Sequence, residues 1–196
     1  MFMQDATRFV PHPIAQLADL GPAATRAGLA ADTWVETETG WRQTGQLRRG
    51  DRLHTFDGGL RAIVALDRCW ILPGPQGHVL HLPQGVLGST MELILMPDQH
   101  LLIDTWEETG LGGAVAALIP ASALGGLGGI GWRSVPAPIE VVTPVFEEEE
   151  VIHASGGVLL HCPGAVSGPD GMLQTTFYPR LPADQAQTIM RPRLAA

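Results

Sequence analysis

A thiol beside an imidazole is the pairing in this chain best suited to nucleophilic chemistry, and it occurs once, at His161-Cys162. A thiolate attacks carbonyl carbon, and imidazole takes up or delivers a proton near neutral pH. His100 is a second candidate proton carrier, and Asp98, two residues before it, is the nearest acid along the chain. Each has a structural alternative. His100 suits the cap of a turn between strands and His161 the packing at a strand end, while Cys162 suits a small buried hydrophobe held stiffly before Pro163. Cys69, between Arg68 and Trp70 in a strand, reads as a packing residue. His78 and His81 are three apart, which sends strand side chains to opposite faces, so they do not read as a metal pair. The run Glu147–Glu150 reads as a solvated turn. No metal site and no cofactor site is expected.

All twelve basic residues are Arg, so a lysine Schiff base or a phosphate-loop lysine is excluded, and Asn is absent altogether. The formal net charge of −8 argues against a general nucleic-acid or anionic-membrane binder, since both need a positive field. Two cysteines are too few for a disulfide framework. Residues 1–20 lack the basic and apolar regions of a signal peptide, and no apolar run approaches the roughly 18 residues of a membrane span. A soluble, cytoplasmic protein is expected, with leaderless secretion left open.

The elements that must position these groups are short strands. Twenty-four Gly and sixteen Pro punctuate the 196 residues every few positions. Trp34-Val35 begins a strand that Thr39-Gly40 turns into a second one from Trp41, and Asp57-Gly58-Gly59 reads as another hairpin turn, leading into a long strand from Leu60 to Ile71. Further strands are read at His78–Leu82, Glu92–Met96, Leu101–Thr105, Ile139–Phe146 and Val151–Leu160, and Ala114–Ile119 as an apolar core stretch. A short helix is read at Pro120–Leu124, and the rest of residues 109–131 as Gly-rich loop. Residues 1–28 read as a loosely structured strap, and Leu181–Met190 as an amphipathic helix with Pro182 in its first turn. The five tryptophans, Trp34, Trp41, Trp70, Trp106 and Trp132, read as core anchors, with an exposed pair as the alternative that marks a partner surface. Fold class is therefore all-β with few short helices.

Three stretches together resemble the Hint family, the self-processing fold shared by inteins and the C-terminal part of Hedgehog proteins. Asp32-Thr33-Trp34-Val35-Glu36-Thr37, Gly40-Trp41 and Leu47-Arg48-Arg49-Gly50-Asp51 resemble the opening strand and L-x-x-G-D turn. In that turn Gly50 supplies a positive φ and Asp51 a side-chain bond to nearby amides. Met96-Pro97-Asp98-Gln99-His100-Leu101-Leu102 resembles the family's T-x-x-H segment, with Pro97 at the hydroxyl position. His153 through Cys162 resembles the closing strand, with Cys162 where the family has Asn. Glu150-Val151, Gly157 and Pro163-Gly164 are similar to the bacterial subfamily common in alphaproteobacteria. The resemblance implies a horseshoe-like domain over residues 28–164 with pseudo-two-fold halves and both of its ends at one cleft. Residues 1–27 are then a leader and 165–196 an extension with a short helix.

In that family a Cys or Ser at the first position attacks the preceding carbonyl, the T-x-x-H histidine polarises the scissile amide, and a terminal Asn, assisted by the histidine before it, cyclises. Here the first position falls at Gly28, the nearest hydroxyl is Thr25, and there is no Asn. Three readings follow: a Hint module defective in self-cleavage that binds or assembles with a protein partner or a neighbouring segment; an autoproteolytic domain cutting near residues 25–28 with His100 as general acid; and a hydrolase using Cys162 and His161, for which Asp98 is the nearest orienting acid.

Overall fold

The computed structural model describes residues 27–75, 77–106, 114–165 and 177–195. Of the strap expected over residues 1–28, residues 1–26 lie outside them.

Fourteen strands among the described residues form two antiparallel sheets. The first sheet contains β1 (Leu29–Ala30), β6 (Ala65–Ile71), β7 (His78–Leu82), β8 (Leu93–Leu95), β11 (Gly131–Ser134) and β12 (Ile139–Val145), in the order β11-β7-β8-β1-β12-β6. The second contains β2 (Trp34–Thr37), β3 (Gly40–Gln43), β4 (Arg52–Thr55), β5 (Gly59–Ala62), β9 (His100–Asp104), β10 (Ala116–Pro120), β13 (Glu150–Ala154) and β14 (Val158–Cys162). Its order is β10-β9-β14-β13-β2-β4-β5, with β3 paired to β2. One helix, α1 (Ala183–Arg193), follows Pro182. The all-β expectation is correct.

The chain passes repeatedly from sheet to sheet: β1 to β2, β5 to β6, β8 to β9, β10 to β11 and β12 to β13 each change sheets. Two expectations are corrected by this habit and by a tight turn. The strand read from Leu60 to Ile71 breaks at Ile63-Val64, where Ile63 is buried and the chain leaves one sheet for the other. The strand read over Val151–Leu160 is a hairpin, with Ser155-Gly156-Gly157 as its turn and β13 and β14 as its arms. Two short elements were not anticipated: β1, only two residues long, and β11, which lies partly in the stretch read as loop.

The hairpin of β2 and β3 and the L-x-x-G-D turn form as expected. Gly50 has φ +91, and Asp51 Oδ2 accepts the Arg48 amide at 2.9 Å and is 2.8 Å from Arg42 Nη1. The expectation that the tryptophans anchor the core is wrong. Trp41, Trp70, Trp106 and Trp132 are 42–70% exposed, and the core is aliphatic, with Phe146 the largest fully buried side chain. Trp70 and Trp132 stand on strands that edge their sheet, where one side lacks a neighbour to cover a large ring. The main core joins Leu29, Leu80, Leu101, Ile119, Ile152 and Leu160 from both sheets. Leu181, Ala186, Ile189 and Met190 belong to it too, so the C-terminal helix is packed onto the β-fold rather than trailing from it. Each Leu, Ile or Met among them contributes roughly 1.5–3 kcal/mol on burial.

Candidate functional site

Strand alternation decides which groups can meet. In β14, Val158, Leu160 and Cys162 point into the main core, which puts Leu159 and His161 on the opposite face. On β9, His100 shares a face with Leu102, and Leu102, Leu118, Val151 and Leu159 form a second apolar cluster roofed by Tyr178. His100 and His161 therefore lie together on this outer face. Their ring centroids are 6.3 Å apart in an edge-to-face arrangement.

Gln99 ties this pair to the start of the domain. Its Oε1 accepts the Gly28 amide at 2.9 Å, while its Nε2 donates to the carbonyls of His161 at 2.8 Å and His100 at 3.0 Å. One carboxamide, only 3% exposed, thus joins the beginning of β1, the start of β9 and the end of β14. Both ends of the domain were expected at one cleft, and this side chain bonds Gly28 near one end and His161 near the other. Its sequence signal was faint: a polar residue between Asp98 and His100, ahead of the apolar run of β9.

Glu149 is the second functional residue missed. Its Oε2 is 3.0 Å from His161 Nε2 and 3.7 Å from Arg180 Nη2, and its Oε1 accepts the Phe177 amide. Neighbouring Glu150 is 9% exposed and pairs with Arg61 at 3.2 Å. The acidic run is therefore not simply a solvated turn: Glu147 and Glu148 face solvent, while Glu149 and Glu150 turn inward to cationic and imidazole partners. Counting acids in sequence cannot separate these, because the inward pair is selected by partners far along the chain. Asp98 follows a different course. It supports the charge of His100 through its main chain and its carboxylate, but the residue hydrogen-bonded to His161 is Glu149.

The C-terminal segment closes the face. Leu118 donates its amide to Pro179 and accepts that of Leu181, so residues 179–181 run parallel to the edge of β10. This brings Arg180 beside both histidines. Burial is the largest influence on each ring and lowers both pKa values, and the Arg180 charge lowers them further; Glu149 works in the opposite sense on His161. Both imidazoles are consequently neutral at pH 7. With the Glu149 carboxylate accepting from Nε2, the free lone pair of His161 is on Nδ1.

Cys162 is on the other side of the sheet, 1% exposed within the main core. Burial, and then the Glu150 carboxylate, push its thiol far above the ordinary range, so it stays protonated. His161 and Cys162 are adjacent in sequence but separated by the sheet. Cys69 is partly buried in a small cluster with Val79 and Val141, as a packing residue should be. His81 Nε2 is 2.8 Å from Glu92 Oε2, and among the described residues there is no group of three or more His, Cys, Asp or Glu side chains placed to hold a metal ion.

Gly28 stands where the family nucleophile is expected. Its φ is +119, and a Cβ there would lie 2.6 Å from Val141 Cγ1 and 2.7 Å from Thr143 Oγ1. Glycine is the residue this backbone accepts.

No curated protein matches the chain in sequence. A bacterial intein-like domain from Clostridium thermocellum, solved in solution, superposes with a TM-score of 0.51 at 13% identity, covering 69% of this chain and 98% of that one. The MchDnaB-1 intein matches at 21% identity with a TM-score of 0.42, covering 68% and 98%. A splice-inactive variant of the AceL NrdHF class 3 split intein matches at 11% identity with a TM-score of 0.48, covering 71% and 99%. The family model for the Hint domain matches residues 27–159, from the residue before Gly28 into β14. A match of that extent, over two sheets that bring Gly28 and His161 to one glutamine, places this chain in the Hint domain family.

Proposed function

We propose that this chain is a Hint-fold module that does not cleave itself and acts as a binding or assembly domain. The observation that carries this reading is Gly28. Acyl transfer at the first position requires a side-chain nucleophile. Here there is none, and the space a Cβ needs is filled by Val141 and Thr143. The other end supports the same reading, since Cys162, at the position of the family's Asn, is turned into the core with a protonated thiol. The exposed Trp41, Trp70, Trp106 and Trp132 support a role in contact with a protein partner or a neighbouring segment.

The test is the intact mass of the chain carrying an N-terminal tag, followed for several days with and without hydroxylamine or thiol. The expected result is one unchanged mass. Time-dependent release of a fragment ending near residues 25–28 overturns the proposal.

One observation favours a second reading, in which the domain cuts at that place with His100 as general acid. Gln99 accepts the Gly28 amide and donates to the carbonyls of both histidines, which joins the residue after the 27–28 bond to their main chain. Under that reading the fragment appears, and His100→Ala abolishes it. The hydrolase reading built on Cys162 and His161 has no comparable support, because the two side chains are on opposite faces of β14.

A further inference from the structure

A cleft of about 300 Å³ opens on the first sheet, and none of its lining residues belongs to the histidine site. Its volume is at the small end of ligand pockets. Val79, Ile94, Val135 and Ile139 give it apolar walls. Asp32, Thr33 and Ser155 line it, as do His81, Glu92 and Arg133.

Two features mark Thr33 and Ser155. Thr33 and Ser155 are 3% and 1% exposed, and neither hydroxyl has a hydrogen-bond partner among the described residues. Buried hydroxyls in native proteins are nearly always bonded, so two orphans lining one cleft need an explanation. Ser155 is also held at φ +46, a left-handed conformation in which Gly or Asn is the ordinary choice. Backbone strain of this kind persists where surrounding structure enforces it and gathers at ligand sites. Here the Ser155 amide donates to Trp34 and its carbonyl accepts both the amide and the hydroxyl of Thr90, so the main chain is pinned while the hydroxyl is left over.

We propose that this cleft binds a small organic cation with an apolar body. The two hydroxyls accept hydrogen bonds, and the Asp32 carboxylate has no ion pair among the described residues. Together they match an ammonium or guanidinium group, which brings several donors and a positive charge. The Glu92 carboxylate is already engaged, 2.8 Å from His81 Nε2 and further stabilised by Arg133. The aliphatic walls take the body of the ligand. This site is independent of whether the domain cleaves itself.

The test uses the full chain, with backbone amide spectra recorded against 2-phenylethylammonium, its neutral counterpart 2-phenylethanol and the anion 3-phenylpropionate. Saturable shifts at Thr33, Val135 and Ser155 are expected with the cation, which binds at least about tenfold more tightly than the anion. Thr33→Val keeps the shape and removes the hydroxyl; it is expected to hold or raise the melting temperature while weakening cation binding about tenfold. Asp32→Asn weakens it about fivefold. Ser155→Gly relieves the left-handed serine and loses its hydroxyl, so it too keeps the fold and weakens binding. Equal binding of cation and anion, no saturable shift at those amides, or a Thr33→Val protein that binds as tightly as the original each overturns the proposal.

Discussion

Nε2 of His161 lies 3.0 Å from Oε2 of Glu149, so one imidazole fastens the last strand of the domain to the acidic run that precedes β13. The same carboxylate receives the Phe177 amide, and Arg180 stands 3.7 Å away. Three groups from two parts of the sequence converge on one side chain. The environment of His161 is therefore set jointly by the domain and the segment that follows it.

Replacing Glu149 separates these contributions. Glu149→Gln keeps an acceptor but removes the charge that favours protonated His161, so the ring is expected to titrate still lower. Imidazole chemical shifts followed against pH check this. Glu149→Ala leaves both the His161 and Phe177 N–H groups without their acceptor and is expected to cost about 1–3 kcal/mol, read as a lower urea midpoint.

Stability should depend on pH in one direction across the histidine range. His100 and His161 both have pKa values lowered from 6.5 in the folded protein, whereas the unfolded chain takes up protons at the ordinary value. Below pH 6.5 the unfolded state binds more protons than the native state, so stability is full above that pH and falls as the solution is acidified toward the folded values. Urea midpoints measured from pH 8 to pH 5 are expected to decline below 6.5. The double variant His100→Gln, His161→Gln should flatten that decline, and an unchanged slope would show that other groups control it.

Gly28→Cys restores the family's nucleophile type but not its space. The new Cβ meets Val141 and Thr143 at a backbone conformation that L side chains rarely adopt. A loss of about 1–3 kcal/mol is expected, with no thiol-dependent cleavage. Adding Val141→Ala opens one of the two contacts and should recover part of the melting temperature, measured by calorimetry alongside intact mass.

The two cysteines should differ in reactivity. Cys69 is partly buried, whereas Cys162 is 1% exposed with its thiol pushed well above the usual range. Iodoacetamide at pH 8 is expected to modify Cys69 first and to reach Cys162 only when the protein unfolds, as peptide mass mapping would report. Cys162→Ser places a hydroxyl in the core and is expected to cost about 1–3 kcal/mol.

The parts of the fold that were legible in the sequence are those decided locally. Thr39-Gly40 turns β2 into β3 because a hairpin turn demands it, and Gly50-Asp51 forms its turn from its own backbone and side chain. The breaks that escaped are decided at long range. Nothing in Ile63-Val64 announces a change of sheet; the break exists because β5 pairs with β4 while β6 pairs with β12. Ser155 hides a turn because serine is an ordinary strand residue until its neighbours hold it left-handed.

The candidate site divides in the same way. His100 and His161 stood out by residue type, and the structure brings their rings together. Gln99 and Glu149 were not legible, since their roles lie in partners at Gly28, His161, Phe177 and Arg180. The pairing of His161 with Cys162 misled because adjacency along a strand means opposite faces. The tryptophans misled for a related reason: aromatic type favours burial, but only topology reveals that Trp70 and Trp132 are on edge strands.

The parallel run of residues 179–181 along β10 has a consequence for how other chains can attach. An unpaired strand edge offers backbone donors and acceptors to any extended segment of suitable length. On the β10 side the protein has supplied that segment from its own C-terminal region, anchored by Leu181 and α1 in the core. A partner that adds a strand at the β10 border must therefore first displace this segment and strip Arg180 away from Glu149. That border of the second sheet is thus open to another chain only in competition with this chain's own segment.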